Sequence, residues 1–373
     1  MVRGVRALAC VLGLLAPLGV FAQGKPAAPR EAATSWYGDL AAARAFMVDT
    51  AKTWELRRRA PVTVKALGTM SALEAVARGQ ADLVGSARPA DPDTPIEANL
   101  QFSTVAWDAL AILVHPRNKV KGLTVEQVRD IYAGRVTDWA ALGGTPGTIN
   151  VYAVAGPLDG IEWSLRRLLF GKGSARVAAK RWYINTQKLE EAIAIDPAGI
   201  GVSLHSLVAA NVALAKLSID GVAPSLATLE AGTYPLPTRL YVAARREAPG
   251  QPSSVQLAQR AREFIREEPA LRTAWRRRQL LPAADARALG AGSDERLAAL
   301  HARLGVRLVS GPPAPKVPPP PKGRIGNPLR GPADPLERDP PAFTAGPRGT
   351  PVAPAADAGA LQRVECTPAV FCR

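Results

Sequence analysis

Histidine and cysteine are scarce in this chain, with three of each among 373 residues, and aromatic side chains make up only 5%. The histidines His115, His205 and His301 show no metal-ligand spacing toward one another. There is no HExxH helix, nucleophile elbow or P-loop. These absences argue against a metal centre and against catalysis, so the expectation is a non-enzyme with no cofactor. Zinc-finger, RNA-binding and basic-zipper signatures are missing as well, and a formal charge of +15 therefore stands without a nucleic-acid motif. Its arginines are scattered, as at Arg57 to Arg59, Arg166 and Arg167, and Arg276 to Arg278. They read as solvated helix faces, or as patches that attract anionic partners. Beyond Ala22 no apolar stretch is long enough to cross a bilayer.

What is present begins with an export pattern. Arg3 and Arg6 precede an apolar run from Ala7 to Ala22, which closes on Val20-Phe21-Ala22 with small residues at the cleavage positions. That is a secretory signal with a cut expected after Ala22 and delivery to the periplasm; a retained anchor is the alternative. Cys10 has no lipoprotein context. In an oxidising compartment, Cys366 and Cys372 could close a small terminal disulfide loop, stay free, or bond another chain. From Pro312 onward, with the run Pro318 to Pro321, composition turns Pro/Gly-rich, and residues 311–373 read as a disordered or polyproline II tail.

Between these ends, strands and helices alternate. Leu40 to Arg58 carries a helical apolar stripe, Val62 to Leu67 alternates as a strand, and Met70 to Arg78 is a helix ending at Gly79. Val105 to Val114 is an apolar strand containing Asp108. Thr124 to Tyr132 is a helix with Thr124 and Gln127 at capping-box spacing. Further strands are expected at Ile149 to Val154, from Gly199, at Val212 to Ile219 and at Thr238 to Ala243; helices are expected at Ile161 to Phe170 and Val255 to Glu267. Alternation of this kind predicts α/β layers.

Several segments in order resemble one family. They are Gly68-Thr69-Met70-Ser71 with the following Gly79-Gln80-Ala81-Asp82-Leu83, then Val105-Ala106-Trp107-Asp108, then Leu123-Thr124 through Tyr132-Ala133-Gly134 with Trp139 and Gly143-Gly144. Pro197-Ala198-Gly199-Ile200-Gly201 and Gly232-Thr233-Tyr234-Pro235-Leu236 complete the set. Together they resemble the PstS-like phosphate-binding component of phosphate ABC transporters, within the type II periplasmic binding fold. The resemblance implies a two-lobed α/β fold with a hinge of crossing strands and a ligand cleft between the lobes. On that scheme residues 1–22 are the signal, 23–35 a flexible N-terminus, 36–108 the first part of lobe 1, and 109–205 lobe 2. Residues 206–310 then return through the hinge to lobe 1. The crossings are expected at Asp108 to Val114 and at Gly201 to Tyr241.

Helix N-termini supply free amides and a positive dipole end for an oxyanion. The resemblance implies two such starts, after Gly68 and at Gly160. Thr69 and Ser71 either add hydroxyls to the ligand or merely cap the helix at Met70. Arg88 either grips the anion bidentately or pairs with Asp91 or Asp93. Asp108 either touches ligand or holds a partner at the hinge.

Elsewhere the family's pattern is altered. Its Arg, Ser and Thr around the second helix start correspond here to Ala155, Asp159 and Ile161, with only Gly160 kept. Asp159-Gly160-Ile161-Glu162 also reads as a capping box. At the N-terminal half-site, Gly38-Asp39-Leu40 again puts an acid where a hydroxyl is usual. A carboxylate about 4 Å from an anion at an effective dielectric near 20 costs roughly 4 kcal/mol, about three decades of affinity. The ligand set that the resemblance implies is Gly38, Asp39, Gly68, Thr69, Met70, Ser71, Arg88, Asp108, Asp159, Gly160 and Ile161. The implied role is a monomeric periplasmic receptor for a small oxyanion-like solute such as phosphate, feeding an ABC permease through a degenerate site. A non-transport sensor, adhesion or scaffold protein of the envelope is the other reading.

Overall fold

The computed structural model describes residues 33–58, 60–156, 158–246 and 254–306. The chain divides into two units, Met1–Ala314 and Pro315–Arg373. Every described residue belongs to the first. The signal segment, the Pro-rich tail and all three cysteines lie outside the described residues.

Strand β1 (Thr34–Asp39) starts two residues ahead of Trp36, inside the segment expected to be a loose N-terminus. Pairing explains the early start, because Thr34 and Ser35 already match Val62 and Thr63 of the parallel strand β2 (Val62–Leu67). Between them runs helix α1 (Leu40–Ala42), a wider π-type turn at Ala43–Met47, and α2 (Val48–Arg58). Helix α3 (Thr69–Ala77) leads to β3 (Leu83–Ser86), which pairs with the other side of β1. A 3-10 turn, Pro95–Asn99, then opens β4 (Leu100–Val114).

β4 is longer than its apolar run. Its first part, Leu100 to Ala109, pairs antiparallel with a later strand, and its second part, Leu110 to Val114, pairs antiparallel with another. Gln101 is exposed and Phe102 to Thr104 are half-buried, so this stretch carries no continuous apolar signal although its backbone sits in the ladder. One strand thus belongs to both halves and changes partners next to Asp108.

The second half follows. It comprises β5 (Gly122–Leu123), α4 (Val125–Tyr132), β6 (Asn150–Val154), α5 (Gly160–Phe170), β7 (Arg181–Tyr183), α6 (Thr186–Ile193), β8 (Gly199–Leu204) and α7 (His205–Val208). The Thr124/Gln127 capping box is formed in both directions. β9 (Ala215–Lys216) and β10 (Ser218–Ile219) stand where one strand was expected; β9 pairs with β4 and β10 with β5. These pairings keep the chain in the second half past residue 205. After α8 (Leu226–Glu230) it returns in β11 (Pro237–Arg245), the partner of β3 and of the first part of β4. The large sheet therefore runs β2-β1-β3-β11-β4-β8-β6-β7, a two-lobed α/β arrangement joined through β4 and the Leu236–Pro237 return.

Helices α9 (Ser254–Glu267) and α10 (Pro269–Arg277) cover lobe 1, where Trp36, Phe46 and Trp275 stack edge to face at 6.0 and 5.9 Å. β12 (Leu281–Pro282) adds to β4. After α11 (Arg287–Gly290) comes α12 (Ser293–Arg303), placed by the lobe scheme in lobe 1. It packs instead on α5 of lobe 2. Its His301 Nε2 lies 2.9 Å from the Arg167 carbonyl, and its Arg303 is bonded to Glu126 and Asp220 at 2.6 to 2.9 Å. Polar contacts to distant segments and the packing of Leu300 and Leu304 on the core meet there.

Candidate functional site

Gly38 and Gly85 are register partners in β1 and β3, and a Cβ on either would come within 2.3 Å of the Met47 sulfur. Only bare backbone lets Met47 lie across both strands. The same register carries the ends of β1 and β3 side by side, which sets Asp39 against Ala87.

Asp39 is 2% exposed and accepts backbone N–H bonds from Ala42 at 2.6 Å through Oδ1 and from Ala87 at 2.9 Å through Oδ2. It is the N-cap of α1. The Thr69 hydroxyl, at the start of α3, turns toward the same carboxylate. Burial raises the Asp39 pKa, while these amides, Arg88 and Thr69 pull the other way. A carboxylate held by the Ala42 amide of α1, the Ala87 amide just after β3 and a hydroxyl has the kind of donor set that a bound oxyanion takes.

From lobe 2, the start of α5 closes directly on this group. The Gly160 N–H donates to Thr69 Oγ1 at 3.0 Å, and a Cβ at Gly160 would sit 2.7 Å from Asp39 Oδ2 and 2.9 Å from the Ala87 Cβ. Ser164 donates to the Ala87 carbonyl at 2.9 Å, and Arg88 Nε donates to the Leu158 carbonyl at 3.0 Å. At the far side, Arg44 of the π-type turn bonds Glu190 of α6 at 3.1 and 3.3 Å. The two lobes meet through protein groups at each of these points.

Asp159 caps α5, its Oδ1 accepting from the Ile161 N–H at 3.3 Å. Burial first, then the nearby Asp39 and Glu162 carboxylates, push it up to about 7. Glu162 is buried too; it pairs with buried Arg166 at 3.0 Å and accepts from the Val154 N–H at 3.2 Å. The acids Asp39, Asp159 and Glu162 therefore crowd one helix start, each with its own internal donors.

Arg88 does not face this point as an open cation, and neither Asp91 nor Asp93 is its ion-pair partner. Its guanidinium is fully buried in a bidentate pair with Glu97, at 2.7 and 2.8 Å, and also donates to the Pro89 carbonyl at 2.8 Å. Met70 Sδ accepts from it at 3.4 Å. Glu97, in the Pro95–Asn99 turn, escaped sequence reasoning. Its only signal was an acid in the first turn after a Thr-Pro start.

Asp108 lies at the partner switch in β4. It accepts from the Ala109 N–H at 2.7 Å, the Ser206 N–H at 3.2 Å and the Ser206 hydroxyl, and burial pushes it up to about 7. These bonds join β4 to α7, outside the Asp39 cluster. Ser71 is exposed on α3. Gly38, Asp39, Thr69, Arg88, Asp159, Gly160 and Ile161 are brought together; Ser71 and Asp108 are not. Among the described residues no group of three His, Cys, Asp or Glu side chains is placed to hold a metal, and no helix is long and apolar enough to cross a membrane.

Residues 41–267 match a family domain described as the PBP superfamily domain. This chain belongs to the PBP superfamily. Its similarity to individual members is modest. It is 28% identical to the phosphate-binding protein PstS of Bacillus subtilis over 201 residues, 53% of this chain and 62% of that protein. Over 64 residues it is 34% identical to phosphate-binding protein PstS 2 of Streptococcus agalactiae, 17% of this chain and 22% of the relative. The matched stretches thus span under two thirds of these curated relatives. In structure the chain is similar to a phosphate ABC transporter substrate-binding protein with bound phosphate from Clostridium perfringens, at TM-score 0.58, 18% identity, and coverage of 67% of this chain and 99% of that one. A phosphate transport receptor from Vibrio cholerae gives TM-score 0.52 at 21% identity, covering 65% and 98%. These identities establish the PBP fold alone.

Proposed function

We propose that this PBP-superfamily chain is an exported, monomeric periplasmic binding protein of the phosphate-transporter type whose oxyanion site is filled by its own Asp39. It carries out no reaction. One observation carries the reading: the Asp39 carboxylate accepts the Ala42 and Ala87 amides at 2.6 and 2.9 Å, with Gly160 of the opposite lobe closed over it. Those amides are what an incoming phosphate would need, and the charge beside them opposes it. The relatives named for phosphate supply the kinship, and the altered site supplies the difference. Calorimetric titration with phosphate at neutral pH tests it. Binding in the micromolar range or tighter would sink the reading.

The contacts that join the lobes, Thr69 to Gly160, Ser164 to Ala87 and Arg44 to Glu190, also favour a second reading. A permanently closed chain would serve the envelope as a scaffold or sensor with no permease partner. Solution scattering with and without added solutes separates the two: a receptor changes its radius of gyration on binding, and a scaffold does not.

A further inference from the structure

A cavity of about 700 Å³ lies between the lobes, and neither Asp39, Thr69, Arg88 nor Asp159 lines it. Its lobe 1 wall includes Trp107 of β4 with Arg239 and Tyr241 of β11. Opposite are Trp163 and Arg167 of α5, and Leu297 of α12 is part of the remaining wall. The size is that of a site for a small organic molecule. Two indoles, each with a guanidinium over its ring, and a buried phenol line it together with Leu168, Leu297 and Leu300, so much of its wall is apolar and suits an apolar body.

Its charge is unbalanced in one place. Arg239 stacks over Trp107 at 4.8 Å and is engaged by Ser293 and, at 3.8 Å, by Asp294. Arg303 is spent on Glu126 and Asp220, and Arg296 on the Ala288 and Leu289 carbonyls. Arg167 differs. Its guanidinium lies 5.5 Å over the Trp163 ring, and among the described residues it meets no carboxylate within ion-pairing distance. Stacking fixes the plane of the fork and leaves its N–H donors for a ligand. Tyr241 adds a neutral phenol: burial raises its pKa, against Arg239 and Arg167 nearby.

We propose that this cavity binds a small monocarboxylic acid with an aromatic body, the carboxylate on Arg167 and the ring in the apolar space beside Trp107, Trp163 and Leu297. This holds whether or not Asp39 blocks phosphate, since the two sites share none of the residues that argue for either.

The test is calorimetric titration of the full chain with phenylacetate and benzoate, with 2-phenylethanol as the neutral analogue and inorganic phosphate as the small anion. One of the two acids should bind, and the alcohol should bind at least about tenfold more weakly. Arg167→Met should weaken the acid about tenfold to hundredfold and leave the alcohol unchanged. Leu297→Trp, which fills the cavity without touching charge, should abolish both, with thermal melts confirming that each variant folds. Absence of acid binding at about 1 mM overturns the proposal, as does acid binding that ignores both substitutions. Phosphate binding that depends on Arg167, without acid binding, would overturn the ligand class. Phosphate binding that survives Arg167→Met but is lost in Asp39→Asn would instead contradict the filled oxyanion site and leave the acid result to stand by itself.

Discussion

Asp39→Ser should convert a filled oxyanion site into an open one. The substitution removes a carboxylate that holds two amides, at 2.6 and 2.9 Å, and leaves a short neutral hydroxyl in its place. Two opposing effects set the cost to stability. Each amide left without a partner costs about 1 to 3 kcal/mol, while removing a buried charge returns several kcal/mol. The net change should stay within about 2 kcal/mol, so the variant should fold. The effect on phosphate is much larger. A charge about 4 Å from the anion, at an effective dielectric near 20, is worth about 4 kcal/mol, and its removal should tighten phosphate binding by about a thousandfold. Adding Asp159→Ser should tighten it further, because that carboxylate faces the same helix start. Equilibrium dialysis with labelled phosphate at pH 7.5 reads the difference directly. A wild-type chain that binds phosphate as tightly as Asp39→Ser would refute the reasoning, since the carboxylate would then neither occupy nor repel.

Glu97→Ala should destabilise the chain by about 3 to 5 kcal/mol in urea, because it strands the buried Arg88 guanidinium; a loss below about 1 kcal/mol would mean that the Pro89 and Leu158 carbonyls suffice. Asp159 has a folded pKa of about 7, above the ordinary 3.8. Between those values the folded chain holds more protons than the unfolded one, so this group's contribution falls as pH rises through the window. Asp159→Asn should flatten that decline in melts taken at pH 5 and pH 8. Glu126 is held down to about 2 by Arg303. Its contribution is present above the ordinary 4.5 and is lost as pH falls toward about 2. Arg303→Met should remove that acid-side dependence and speed hydrogen exchange in α12; unchanged exchange would show that apolar packing alone holds the helix.

Much of the secondary structure was legible because its signals are local. Thr124 and Gln127 sit one turn apart and close their box without outside help. Leu40 to Arg58 keeps its apolar stripe even though Ala43–Met47 winds wider. Legibility failed where pairing had to be known. Gln101 to Thr104 joined β4 through β11, which lies over a hundred residues on in the chain. α12 was invisible as a lobe 2 element because its anchors, Glu126, Arg167 and Asp220, lie on other segments. Similarly, the candidate site was legible as a pair of acid-bearing helix starts, but Arg88 was open to misreading until Glu97 was found beside it.

Residue type and local spacing alone set the α/β alternation and put Asp39 at the helix start after Gly38 and Asp159 at the helix start of Gly160. Residue type and short-range spacing suffice for that, since caps and turns are closed within a few bonds of backbone. Packing of distant segments set what each carboxylate does there. Asp39 takes the amide of Ala87, 48 positions away, and stands against Gly160 from the other lobe. A buried charge is satisfied by whichever donors the packed chain delivers, and which donors arrive depends on strand register and lobe closure.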